Sequence, residues 1–366
     1  MAAPYLNNVP LLEGIGAFGT RVAPDGWGAP RYTYVKTNRW TDKLIYPDMD
    51  IVPLKPNYDG SVMEPANFLP LIPLVLLNGI SGIAVGWSTE ILPHKLDDLI
   101  SATVSAIDGK PIAPLLPHFE QMSVGIRSLG DNSYEFQGQV TIESDTLIRI
   151  TELPPDLSLE RFKARLNQME DNNEIHTYTD RSTKTINIEV RFKRGAISNW
   201  TEAAAINFFK LKSKTTQRLV VLDFNNTSIK QYDTAEQLVQ AFVEWRVGWY
   251  SVRFRKQIAQ LTRDLNFACA VKACVVGKLP QFLATAANKA AVSTRVLDLT
   301  KKITLDDDQV DRIVSFPSYR WAQDSIAKID DEIAALGKQI VDLEQILLDP
   351  KQIRQIYKKE VLALRK

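Results

Sequence analysis

Cysteine is nearly absent from this 366-residue chain: only Cys269 and Cys274 occur. They lie five apart in a segment that reads as helix, which excludes a disulfide framework and a cysteine-based zinc site and suits a reducing compartment. Histidine is equally scarce. His94, His118 and His176 stand far apart with no ligand-spaced neighbour, so no metal site is expected from this chain's own residues. No apolar run reaches the ~18 residues that a membrane span requires, and no membrane contact is expected. The opening residues, MAAPYLNNVP, have no basic stretch followed by an apolar one, which excludes a secretory signal. A Gly-x4-Gly-Lys-Ser/Thr loop is missing, and with it a nucleotide site of that kind. Excess charge is missing too. Lys and Arg number 44 against 43 Asp and Glu, a net charge of +1, so the chain is not a uniformly basic nucleic-acid binder.

What is present is uneven. Apolar residues make up 45%, enough for cores, and the length predicts two or three domains. Residues 1–100 are rich in Gly and Pro and slightly acidic, with seven Lys and Arg against ten Asp and Glu. There "PNYDG" reads as a turn. The apolar run 69–86, "LPLIPLVLLNGISGIAVG", is broken by prolines and glycines and reads as buried extended segments. In residues 94–107, Leu96, Leu99, Ile100, Val104 and Ile107 fall on one helical face. A β-rich section follows: "YEFQGQVTIES", "LIRITELP" and "TINIEVRF" alternate apolar and polar residues, with a helical "SLERFKARLNQME" among them. Residues 189–218 hold seven basic side chains, Arg191, Lys193, Arg194, Lys210, Lys212, Lys214 and Arg218, against two acidic ones. A patch of that kind either neutralises phosphates or forms a solvated face.

From residue 235 the pattern is helical. Leu238, Phe242, Trp245, Trp249 and Val252 are spaced 4, 3, 4, 3. Ile326, Ile329, Ile333, Leu336, Ile340, Leu343 and Leu347 keep an unbroken 3, 4 alternation, the signature of a coiled coil. The two helices are expected to pair antiparallel as a stalk, with a small helical head between them. Asp306, Asp307 and Asp308 read as a helix cap. The fold class expected is α+β and multidomain.

One dipeptide gains meaning from its neighbours. Arg31-Tyr32 in "APRYTYVK" follows the Gly-rich "NNVPLLEGIGAFGT" and precedes "EPANFLPLIPLVLLNGISGIAVGWSTEILPHKLDDLI", "ITELP" and "ILLDPKQIRQIYKKEV". In that order these segments resemble the DNA-breakage subunits of type IIA DNA topoisomerases: the A subunit of gyrase and topoisomerase IV, and the medium subunit of the T4-like phage enzyme. The resemblance implies that Tyr32 is the nucleophile. It attacks the DNA backbone, displaces a 3′ oxygen and becomes linked to the 5′ phosphate. A free phenol ionises near pH ~10, and Arg31 matches the arginine that stabilises the charged phosphorane. Ile83 matches the isoleucine that wedges between base pairs and bends the DNA; its bare sequence context reads as a core strand.

The resemblance further implies a partial winged-helix region (1–65), an α/β tower that bends DNA (66–232), a stalk (233–266 and 320–366) and a C-gate dimerisation head (267–319). The implied partners are double-stranded DNA, a second copy of the chain and an ATPase/Toprim subunit that holds Mg2+ and ATP. The implied location is the cytoplasm of a bacterium or an infected bacterial host. Two departures stand out. The family loop Gln-Gly-Asn-Phe-Gly-Ser is here Ile15-Gly16-Ala17-Phe18-Gly19-Thr20, so two polar side chains are missing beside the nucleophile. The helix-turn-helix that the family places before Asn7 does not precede it, which gives the expectation of an N-terminally truncated subunit. With no DNA-wrapping β-propeller following, a phage-type subunit is expected rather than a supercoiling one. The alternative is a non-catalytic DNA-binding or scaffolding remnant.

Overall fold

A computed structural model describes the backbone of residues 1–317, 321 and 323–365, and the side chains of these except 323–327. The side chain of Ile326, which opens the heptad series, and the expected boundary at 319/320 are not among what is described. The chain divides into two compact units. One is Met1–Arg246 with Tyr357–Lys366, and the other is Val247–Ile356.

In the first unit, β1 (Glu13–Ile15) pairs antiparallel with β2 (Tyr34–Lys36). Helix α1 (Arg39–Ile45) begins at Asn38, whose Oδ1 accepts from the amides of Trp40 and Thr41, satisfying two otherwise orphaned donors. The hairpin β3 (Leu54–Pro56) and β4 (Met63–Pro65) is exposed and closes through the expected turn, with Gly60 at φ 74°. The run 69–86 is not uniformly buried. Leu69, Leu71, Ile72, Leu76 and Leu77 are core residues, but residues 74–78 form a helix, α2 (Leu74–Asn78). Beyond it the hairpin β5 (Ile80–Ala84) and β6 (Trp87–Ile91) has its first strand wholly exposed. Helix α3 (Leu96–Ile107) buries Leu99, Ile100, Thr103, Ala106 and Ile107, and Val104 is half-buried on its flank.

β7 (Gly125–Gly130), β8 (Ser133–Gln137), β9 (Gln139–Ser144), β10 (Leu147–Glu152), α4 (Leu159–Asp171), β11 (Thr177–Asp180), β12 (Ile188–Arg191), α5 (Glu202–Phe208) and β13 (Lys212–Thr216) follow. They build two antiparallel sheets, ordered β11-β12-β10-β9 and β13-β8-β7. The alternation read in the sequence is the observed one: Ile148 and Ile150 point inward with Ile188 and Val190, against Phe162, Leu166 and Phe209 from the helices. Full burial of each such side chain stabilises by about 1.5–3 kcal/mol. Ser158 and Thr201 cap α4 and α5. A last hairpin, β14 (Leu219–Leu222) and β15 (Ile229–Tyr232), lies beside β6.

Helix α6 (Ala235–Val276) begins in this unit. Phe242 and Trp245, expected as stalk residues, pack here on Phe224, which stacks on the Trp245 ring at 5.0 Å. Arg246 is fully buried and bonds to Asp48 at 2.6 Å. A buried pair of this kind needs close geometry to offset its desolvation. The chain rejoins the unit at Tyr357, whose hydroxyl donates to the carbonyl of Leu71 at 2.8 Å, while Trp40 Nε1 donates to the carbonyl of Leu364 at 3.0 Å.

The second unit is helical: the rest of α6, α7 (Leu279–Leu283), α8 (Lys289–Leu299), α9 (Asp307–Val314), α10 (Gln323–Leu348) and the start of α11 (Pro350–Leu362). Its core joins Val271 and Cys274 of α6 to Val292, Val296, Ile313 and Ile329, with Ile333 packed against it. Asp306 caps α9 in a reciprocal capping box with Gln309, as the acidic triplet predicted. Along α10, Leu336, Ile340, Leu343 and Leu347 are half-buried between exposed neighbours. On α6, Val252 is exposed, and the buried positions are Tyr250 and Phe254 instead.

His94 supplies a test of the first unit. It is fully buried; its amide donates to the Leu76 carbonyl at 2.8 Å, and its Nδ1 lies 3.2 Å from the same oxygen. Burial pushes its pKa below 6.5 against the smaller pull of Glu236. A depressed imidazole pKa means that the unfolded chain takes up the proton first. The contribution is therefore present above about pH 6.5 and is lost as pH falls below it, by up to about 1.4 kcal/mol per pH unit. Calorimetry of His94→Asn between pH 7 and 5 should show a shallower loss of stability than the parent. Parallel curves would remove His94 from the account.

Candidate nucleophile and nucleic-acid interface

Tyr32 ends a 3-10 turn, Pro30–Tyr32, in which Pro30 occupies the first turn and the Tyr32 amide donates to Ala29 at 2.8 Å. Its side chain is 65% exposed. The Arg31 guanidinium lies over the Tyr32 ring, 4.9 Å from its centroid, so the two residues read as a pair in sequence are a pair in space. The Gly-rich segment reaches them through β1 and β2, with Ile15 opposite Tyr34. Gly16, at φ 101°, is the point of closest approach: a Cβ there would stand 2.6 Å from the Tyr32 carbonyl oxygen, and only glycine takes both the angle and the space. Backbone groups and Thr20 supply the loop's own hydrogen bonds despite Ile15 and Ala17. The Gly28 amide donates to Ala17 at 2.9 Å, and the Ala23 amide donates to Thr20 Oγ1 at 3.1 Å.

Ile83 stands on β5 and is 92% exposed, with Val85 beside it at 101%. A core-strand role is therefore excluded. The hairpin turns through Val85 and Gly86, the latter at φ 77°, the left-handed second position that favours glycine. An exposed Ile and Val at the tip of a two-stranded hairpin form an apolar projection with the shape of a wedge.

A residue that sequence reasoning missed joins these two places. Asn78 closes α2 just before the wedge hairpin. Its Oδ1 accepts from the Val9 amide at 2.9 Å, and its Nδ2 donates to the Val9 carbonyl at 2.9 Å. Asn8 donates through Nδ2 to the carbonyls of His94 and His118 and accepts from the Glu120 amide. The segment leading to β1 is thus pinned to the base of the wedge. The Asn7-Asn8 dipeptide was the available signal, since asparagine pairs side chain to backbone so readily.

The basic residues divide between two sheets. Arg191 ends β12, and Lys193 and Arg194 follow it; Lys212 and Lys214 lie on one face of β13, with Lys210 just before the strand at φ 53°. All six are exposed. The acid nearest in sequence, Glu189, is taken by Arg149 at 3.0 Å and Arg181 at 3.2 Å, so it does not quench them. Across the second sheet Lys214 faces Glu135, which pairs with Arg127 at 3.3 Å. Arg127 therefore offsets the acid opposite Lys214, and the i, i+2 rule for strands would have located it. Among the described residues, no group of three or more His, Cys, Asp or Glu side chains could hold a metal ion, and no helix is long and apolar enough to cross a membrane.

The family defined by the A subunit of DNA gyrase/topoisomerase IV matches residues 1–362. This chain belongs to that family. The DNA topoisomerase medium subunit of Enterobacteria phage T4 is 27% identical over 344 residues, which is 92% of this chain and 75% of that protein. DNA topoisomerase 2-alpha of Cricetulus griseus and of Homo sapiens are each 30% identical over 261 residues, 68% of this chain but only 17% of theirs. The chain thus spans a small part of those longer relatives. The fold is that of the Plasmodium falciparum topoisomerase II DNA-binding, cleavage and re-ligation domain. The TM-score is 0.82 over 98% of this chain and 52% of that one, at 21% identity.

For a member of the gyrase/topoisomerase IV family the Gly16 contact is the local feature most open to test. Gly16→Ala combines a forbidden φ with a clash on the Tyr32 carbonyl, a cost of about 1–3 kcal/mol. Thermal denaturation should register the loss, and amide exchange should speed up at Ile15 and Tyr34. An unchanged exchange pattern would show that the loop does not seat the tyrosine.

Proposed function

We propose that this chain is the DNA-cleaving and rejoining subunit of a type IIA DNA topoisomerase. The observation that carries this reading is the placement of an exposed Tyr32 against Arg31, seated by the β1–β2 pairing in a chain of this family. In the reaction the Tyr32 hydroxyl loses its proton and its oxygen attacks a backbone phosphorus. The P–O3′ bond breaks, and a 3′-hydroxyl end and a 5′-phosphotyrosyl link result. The bond energy is retained, so the 3′ oxygen can attack in reverse and reseal the strand. Arg31, freed from the ring when a phosphate arrives, donates charge-assisted hydrogen bonds to the phosphorane oxygens. Ile83 unstacks a base step and bends the duplex, at a cost of a few kcal/mol that wider protein contact offsets.

The regions fit a division of labour. Residues 1–65 form part of a winged-helix breakage region, and 66–232 act as the tower. The exposed Arg191, Lys193, Arg194, Lys210, Lys212 and Lys214 hold the DNA arms. Helices α6 and α10 form an antiparallel coiled-coil stalk, and the cluster around Val271 and Ile313 is a dimerising head at the exit gate. A self-complementary apolar surface suits a two-fold contact there. ATP and Mg2+ belong to a separate ATPase/Toprim subunit, whose bound Mg2+ would neutralise phosphate charge. The assembly works in the cytoplasm of a bacterium or an infected bacterial host.

With Mg2+ and the ATPase/Toprim partner supplied, denaturant trapping on labelled DNA should give a covalent adduct that Tyr32→Phe abolishes; an undiminished adduct in that variant assigns the nucleophile elsewhere. For the arms, Lys210→Ala, Lys212→Ala and Lys214→Ala combined should weaken binding to all sequences alike. The variant should also reduce the slope of log K against log[salt] by ~0.9 for each phosphate that it no longer neutralises. A slope equal to the parent's would mean that the patch is only solvated.

A further inference from the structure

The wedge hairpin does not stand alone. Beside it lies the β14–β15 hairpin, joined through Arg218. The Arg218 amide donates to the Glu90 carbonyl at 2.7 Å and the Glu90 amide returns the bond at 3.0 Å. Thr89 Oγ1 donates to the Arg218 carbonyl at 3.2 Å, and the Arg218 guanidinium reaches the Ser88 hydroxyl. The two hairpins enclose an open groove of about 280 Å3 lined by Ile83, Trp87, Val220, Leu222 and Ile229. At its rim Leu222 and Ile229 are cross-strand partners, 58% and 43% exposed. The hairpin carrying them is braced at its turn. Asp223 accepts from the Thr227 amide and hydroxyl, each at 2.7 Å, and from the Ser228 hydroxyl at 2.9 Å, while Phe224 stacks on Trp245. Exposed cations belong to the same hairpin: Arg218 at its base and Lys230 on β15.

A braced apolar rim that continues the wedge and carries cations on its own hairpin matches the sugar edges of a duplex with phosphates on either side. We propose that Leu222 and Ile229 form a second apolar contact with the DNA, a shelf beside the Ile83 wedge that sets how far the duplex bends. This rests on Ile83 acting as the wedge. A wedge opens one base step, and the shelf holds the neighbouring sugars so that the opened step cannot relax.

Both shelf side chains are exposed, so polar replacements should leave the fold intact. The test is energy transfer across an end-labelled duplex of ~30 base pairs bound by the full chain, for the parent, Ile83→Ala, and the double variant Leu222→Ser with Ile229→Ser. The double variant should shift the bent-to-straight ratio toward straight by about tenfold, equivalent to about 1.4 kcal/mol. Leu222→Val with Ile229→Val should restore most of it. If the melting temperature of the serine variant falls, Ile229→Thr, which keeps the β-branched shape, is read in its place. Bending equal to the parent's in the serine variant, with bending lost in Ile83→Ala, overturns the shelf and leaves the wedge standing. Unaltered bending in Ile83→Ala removes the wedge, and the shelf with it. Normal DNA bending with weakened self-association in the serine variant assigns the groove to a second protein surface and also overturns the proposal.

Discussion

Asn78 uses one side-chain amide to imitate a backbone partner: it both donates to and accepts from Val9. That pairing ties together the two stretches of chain that lead to Tyr32 and to Ile83. Downstream of Val9 the chain enters β1, whose pairing with β2 places Gly16 on the Tyr32 carbonyl. Downstream of Asn78 it enters the wedge hairpin through Gly79, where a Cβ would stand 2.6 Å from the Ile91 carbonyl oxygen. A neutral two-way amide contact of this kind is worth about a kcal/mol net per hydrogen bond. Its larger effect is geometric: it links the segment that leads to Tyr32 with the base of the hairpin that carries Ile83.

Charge is arranged by the same economy. The chain is close to neutral, yet the acids nearest the exposed basic residues after β12 are paired with other arginines. Glu143 and Glu189 share Arg149, and Arg181 completes the set. That leaves the β13 lysines and the residues after β12 facing solvent with their charge available. A near-neutral total limits long-range attraction to any polyanion, while local patches still give short-range grip.

Helices and alternating strands were legible because each buries one face. Ile148 and Ile150, or Leu99 and Ile100, announce themselves by spacing alone. The Asp306 cap was legible for a local reason, as a side chain satisfying the helix's own amides. The run 69–86 was misread because hydrophobicity reports what avoids water in isolation, not what a partner will cover. Leu71 and Ile83 look alike in sequence, and one is buried while the other is almost bare. On α6, Val252 fits a heptad count, but Tyr250 and Phe254 hold the buried positions, because a helix of 42 residues changes neighbours along its length. The Arg31–Tyr32 pair is local and was visible in the sequence, whereas the pinning by Asn78 joins residues 69 positions apart, which no local pattern encodes. For the site, resemblance named Tyr32, and the fold explains how it is held.

The first unit is built from two separate stretches of chain, with the whole of Val247–Ile356 made between them. Tyr357, Val361 and Leu364 are fully or almost fully buried there, and the Tyr357–Leu71 bond joins residues 286 positions apart. During synthesis Leu71 and Trp40 therefore wait, with their later partners unmade, until the intervening helices have left the ribosome. A nascent chain of this design has an exposed apolar seam for that interval. Its folding is set by the order of translation as much as by the strength of its contacts. The helical insert has a core of its own around Val271, Val296 and Ile313, and it lies between the two stretches that must meet.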